Sequence, residues 1–144
     1  LVYRARLKVI PGGPDKYFPL IADTRTHAQI GFSGWTPDYP SETGFLTVQF
    51  ACSAFVPGHP ELTSDSSFFC DRRIDRLMAR AAAVEAVNPA ASHTLWQQAE
   101  RELLAQGVVV PTENPASVDM VAKRVGNYQF HPQWHALMDQ LWVR

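Results

Sequence analysis

Trp35, Asp38 and Tyr39 stand close together in the run Gly34-Trp35-Thr36-Pro37-Asp38-Tyr39-Pro40. Two flat aromatic side chains beside a carboxylate make a set suited to binding rather than to bond-breaking. The rings offer apolar area at little entropic cost, and the carboxylate can capture an ammonium through a charge-assisted hydrogen bond. The same residue types also suit a plain turn, with Asp38 bonding nearby backbone and Trp35 packed in a core. Both roles are open at this level. Cys52 and Cys70, with 17 residues between them, are the other reactive pair. Either they form a disulfide, worth roughly 3 kcal/mol by loop entropy and pointing to an oxidising compartment, or they are two free, partly buried thiols.

Sets that would catalyse are weaker. Gly31-Phe32-Ser33-Gly34-Trp35 approaches a nucleophile elbow, but the second glycine falls one place early for G-x-S-x-G, so Ser33 is not read as a nucleophile. His131 and His135 are four apart, yet Pro132 and Trp134 lie between them and no third ligand suggests itself. They read as exposed tail histidines. His27, His59 and His93 form no pattern, and Asp71, Asp75 and Glu85 suit helix capping and solvated surface. No glycine-rich phosphate cradle follows a strand. No catalytic residue, metal or cofactor is expected.

A binding loop needs rigid elements on either side. Residues 28–35 are a mostly apolar run of strand length, stopped by Pro37 and Pro40. Residues 3–9 alternate Tyr3, Ala5, Leu7 and Val9 with Arg4, Arg6 and Lys8, the period of a strand with one wet face. Between them Pro11-Gly12-Gly13 breaks the chain, and Pro14 opens a helix carrying Tyr17, Leu20 and Ile21, ending near His27. Strand, helix and strand make an expected βαβ unit. The aromatic loop then leaves the carboxyl end of a strand, where open α/β sheets bind ligands.

Ser41 can cap a short helix bearing Phe45, Leu46, Val48 and Phe50, and residues 53–69 read as a surface loop. Asp71 caps an amphipathic helix over 72–87, with Ile74, Leu77, Met78, Ala81 and Ala82 on one face. Asn88-Pro89 opens another, striped by Leu95, Trp96, Ala99 and Leu103 and ended by Gly107. Residues 108–112 and 118–125 read as extended, separated by Pro115, and an aromatic tail follows.

The 144 residues are 46% hydrophobic and 19% charged, an ordinary globular balance with no apolar run able to span a bilayer. Thirteen basic and fourteen acidic side chains, without a basic stripe, argue against a nucleic-acid partner. The amino terminus has no signal pattern, so the chain is expected to begin inside something larger.

The order Trp35-x-x-Asp38-Tyr39-Pro40, Phe45-Leu46, Ser67-Phe68-Phe69-Cys70-Asp71-x-x-Ile74-Asp75-x-Leu77-Met78, Ala99-Glu100-x-x-Leu103 and Val109-Val110-Pro111 resembles the dipeptide- and oligopeptide-binding proteins of ABC importers. The resemblance runs over most of the chain. It implies an α/β fold in which residues 1–112 form part of the second lobe of a type II periplasmic-binding-protein-like protein. Residues 113–144 would pack on a first lobe not present here. It also implies a binding protein outside the membrane, lipid-anchored and monomeric, that hands a peptide or small amine-bearing solute to ABC permease subunits. Asp38 would then pair with the ligand ammonium, Trp35 and Tyr39 would line the pocket, and Cys52 and Cys70 would be bridged. Two features depart from the pattern. Pro40-Ser41-Glu42 follows the tyrosine where many relatives have Asp-Pro, and the family also takes sugars and metal chelates. A regulatory domain of the same fold, without transport, is the alternative. The tail residues Trp134, Leu137, Leu141 and Trp142 are expected to be exposed.

Overall fold

The computed structural model describes residues 4–113, 116 and 118–144. Its core is a hairpin of two helices, whose sequence carries start signals at both. Before Arg72–Val84, the third helix in chain order (α3), the Asp71 carboxylate accepts the amide N–H groups of Arg73 at 2.7 Å and Ile74 at 3.4 Å. Those groups have no partner within the helix, so the cap offsets an otherwise open end. Asn88 does the same for Pro89–Ala105 (α4), accepting from Ala91, and Pro89 occupies the first turn where its missing N–H is harmless.

Helix α4 stops because Gly107 takes a left-handed backbone, φ 67°. The amides of Gly107 and Val108 then bond back to the carbonyls of Leu104 and Leu103, a Schellman closure. Helix α3 ends at Val84, earlier than the expected Val87, as Glu85 turns the chain toward α4 and its carboxylate is drawn to Ser41.

The facing stripes bury Ile74, Leu77, Met78 and Ala81 against Trp96, Ala99 and Leu103. Ala81 and Ala99 are fully buried along this seam, and the Ser92 hydroxyl crosses it to the Ala81 carbonyl at 2.9 Å. Each large apolar side chain so buried contributes about 1.5–3 kcal/mol. At the open end Arg73 and Glu102 pair at 2.9 Å, and Gln106 donates to Asp71.

Helix α2, Leu46–Phe50, lies on this hairpin through Leu46 and Phe50, followed by buried Ala51. Before it, Ser41 caps a 3-10 turn, Glu42–Gly44, so the expected single helix is two pieces. Helix α1, Pro14–Ile21, is also shorter than expected. The Asp23 side chain accepts the Arg25 amide and starts a separate turn, Thr24–Thr26. Hydrogen bonds from Arg25, and the Arg25–Asp23 ion pair at 2.7 Å, hold the Asp23 carboxyl down to about 2.

The βαβ unit does not form among the described residues. Residues 4–10 and 28–35 form no regular element and enter no ladder, the chain bends at Ile30, and Leu7 and Ile30 stand 91% and 97% exposed. A parallel strand is held by a neighbour's hydrogen bonds, and no described segment lies beside either run to supply them. Tyr17 pins the middle of the second run, its hydroxyl accepting from Phe32 N at 2.6 Å and donating to Phe32 O at 2.8 Å. Tyr3 lies outside the described residues.

The strands that do form are short and antiparallel: β1, Val125–Gly126, pairs with β4, Trp142–Val143, and β2, Phe130–His131, pairs with β3, His135–Ala136. Residues 108–112 and 118–124 pair with none, and Pro115 lies outside the described residues. A Cβ at Gly126 would run into the Trp142 ring, which lies across it. The chain is thus a mixture of helices and small sheets. In the tail, Trp134 and Trp142 are exposed as expected, whereas Leu137 and Leu141 are half-buried.

Cys52 and Cys70 are bridged and close the loop over 53–69. Inside that loop the buried Asp65 carboxylate accepts from Ser67 N, Ser67 Oγ and Phe69 N, bracketing Phe68, whose φ of 58° is unfavourable for a bulky residue. Burial outweighs these bonds and pushes the Asp65 carboxyl up.

Replacing both cysteines with serine should lower unfolding free energy by roughly 3 kcal/mol, read by urea denaturation, with helix content kept because the α3–α4 core does not contain the bridge. An unchanged midpoint would show the loop closed without it. For Asp65→Asn, one acceptor becomes a donor facing Ser67 or Phe69 and the variant is less stable. Because the native carboxyl pKa is raised, its contribution is complete below the ordinary carboxylate range and is lost as pH rises through the Asp65 titration. The gap between wild type and variant should therefore narrow with rising pH, and a widening gap would refute this.

Candidate functional site

The loop carrying Trp35, Asp38 and Tyr39 folds back on the Glu42–Gly44 turn that follows it. The Trp35 indole Nε1–H donates to the Gly44 carbonyl at 2.8 Å, fixing the ring by its polar edge. Gly44 is buried, and a Cβ there would lie 3.3 Å from the Tyr39 carbonyl and 3.4 Å from the Tyr39 ring and Pro37 Cβ. Its lack of a side chain thus lets the tyrosine lie against the turn. Trp35 and Tyr39 converge on this one glycine from different sides of the bend.

The turn is tied to the helical hairpin. The Ser41 hydroxyl donates to Glu85 Oε2 at 3.0 Å and accepts the Thr43 amide at 3.3 Å. Glu42 Oε1 lies 3.5 Å from His93 Nδ1, and His93 Nε2 meets the Gln97 amide nitrogen at 3.0 Å. From the tail, the Gln133 side-chain amide donates to the Pro37 carbonyl.

A shallow concavity of 350 Å³ lies on this loop, lined by Pro37, Tyr39, Pro40, Ser41, Glu42 and Phe45. Tyr39 and Phe45 line it with well-exposed rings, whereas Trp35, also exposed, and Asp38 are not among the residues that line it. Asp38 is exposed and makes no hydrogen bond or ion pair among the described residues. Its carboxylate is thus not spent on the neighbouring backbone, unlike those of Asp23, Asp65 and Asp71. An uncommitted carboxylate beside ordered, part-exposed rings can accept an ammonium from solution and place an apolar stem on the aromatic faces.

The bridged cysteines are separate from this concavity and act on the 53–69 loop. Ser33 is exposed on unpaired chain. His131 and His135 face each other across β2 and β3, but His131 Nδ1 accepts the Gln133 and Trp134 amides, and its ring stacks on Trp134 at 4.6 Å. No group of three or more metal-type ligands occurs among the described residues. The roles of Gly44 and Phe45 were not legible beforehand. A glycine followed by an aromatic after a Ser cap was the available signal, and it reads equally as a helix start.

Against known proteins, the chain is similar to the probable di/tripeptide-binding protein 5 of Pseudomonas aeruginosa (strain UCBPP-PA14), with 27% identity over 101 residues. The match covers 70% of this chain and 18% of that protein, so the chain spans under a fifth of the length of the relative. No protein-family model matches, and no solved structure does. No helix among the described residues is long and apolar enough to cross a membrane.

Trp35→Phe keeps the ring and removes the N–H, leaving the Gly44 carbonyl without its donor. The expected loss is about 1 kcal/mol, with faster amide exchange over residues 36–45. Exchange unchanged from wild type would show that the indole bond does not hold the loop.

Proposed function

We propose that this chain is part of a solute-capturing protein and that the Trp35–Asp38–Tyr39 loop holds the ammonium end of a short peptide or similar amine-bearing solute. One observation carries this reading: the exposed Asp38 carboxylate has no partner among the described residues while the aromatic groups beside it are held in place. Its physical basis is the strength of charge-assisted hydrogen bonds, and the rings add area without ordering cost. The similarity to a probable di/tripeptide-binding protein of Pseudomonas points the same way. In this reading the chain binds and does not catalyse. It works outside the membrane, where a disulfide persists, and hands its ligand to an ABC permease.

The shallow concavity here is one wall of a cleft. The other wall belongs to a second lobe, against which residues 113–144 and the exposed Leu7, Ile30 and Phe32 pack. Peptide selectivity is broad when main chain rather than side chains makes the contacts.

Calorimetric titration of the whole protein with trialanine and with N-acetyl-trialanine tests this, in wild type and Asp38→Asn. Losing the charged partner should weaken trialanine by about 1.5–3 kcal/mol, roughly tenfold to a hundredfold. Acetylation should have the same effect on wild type and none on the variant. Equal binding of both peptides by wild type would sink the ammonium role of Asp38.

A further inference from the structure

A second concavity lies elsewhere, an open groove of 560 Å³ where α2 and the turns flanking it face α3. Its floor is the Met78 side chain with Ala79 and Ala82, small or flexible apolar groups. Its walls carry donors. The hydroxyls of Thr47 and Ser53 make no hydrogen bond among the described residues, and neither does the guanidinium of Arg76. Arg72, one turn earlier on the same face, reaches only as far as 3.8 Å from Asp75 Oδ2. Asp75 is the one carboxylate lining the groove, and its Oδ1 is already occupied by the Cys52 amide at 3.0 Å. Two guanidinium groups against one committed carboxylate leave the groove positive.

We propose that this groove binds a carboxylate carried on a short aliphatic stem, an acidic side chain or a small dicarboxylate. Guanidinium groups offer paired N–H donors in the geometry of a carboxylate, and hydroxyls add further donors. A stem of two or three methylenes lies on the Met78–Ala79–Ala82 floor, where a bulkier floor would exclude it. The volume suits a small molecule, within the range of about 300–1,000 Å³ usual for ligand pockets. The selection is for charge and length: an ester of the same stem loses the charged acceptor, and a cation is repelled. The site is independent of Asp38 and stands or falls apart from the amine-binding loop.

Glutarate titrated into the ¹⁵N-labelled full chain at constant ionic strength is the test. Saturating shifts are expected at the Thr47, Ser53 and Arg76 amides, absent with dimethyl glutarate and with potassium chloride. Arg76→Gln, at an exposed position, should weaken the effect about tenfold or more, whereas Asp38→Asn should leave it unchanged. Shifts that chloride reproduces, that the diester also gives, or that survive Arg76→Gln intact overturn the proposal.

Discussion

The packing of α3 on α4 is the constraint on which the rest of the molecule depends. Where Ser92 of α4 faces Ala81 of α3, both side chains are small and buried, and the Ser92 hydroxyl reaches the Ala81 carbonyl. Trp96, Ile74, Met78 and Leu103 then fill the space to either side. Tight packing of this kind tolerates little added bulk, because a methylene added at buried Ala81 would press on α4 and strain the contacts along the seam.

From that hairpin the order spreads outward through a few polar links. The Cys52–Cys70 bridge enters the hairpin one residue before the Asp71 cap, and Asp75 on α3 holds the Cys52 amide. The start of the 53–69 loop is therefore fixed from the helix, and its end by the cap. At the other end of α3, Glu85 takes the Ser41 hydroxyl, so the turn on which Trp35 and Tyr39 rest is registered against the same helix. The aromatic loop and the Arg72–Arg76 groove lie along one segment, residues 35–53, and share α3 as their support.

Away from the hairpin the chain is held differently. Residues 4–10 and 28–35 have strand sequences and no strand partners, and their apolar side chains face solvent. The tail makes short antiparallel pairs whose aromatic side chains remain in part uncovered. Apolar area of this kind, left facing water, contributes nothing to the stability of the chain.

Most of residues 71–107 was legible from sequence, because helices are written locally: caps at Asp71 and Asn88, a 3.6-residue apolar period, and a left-handed glycine at Gly107 are signals within a few residues of where they act, although α3 stops at Val84 and Ala82 is exposed rather than on the buried face. The aromatic–carboxylate composition of 35–39 was legible for the same reason. Strand pairing was not, since the alternation at 4–9 specifies a face and says nothing about which segment lies beside it. That Asp38 stays uncommitted while Asp23, Asp65 and Asp71 bind backbone was decided only in three dimensions, by which amide groups the fold left within reach. The same holds for the groove, where Thr47, Ser53 and Arg76 meet only because α2 packs across α3.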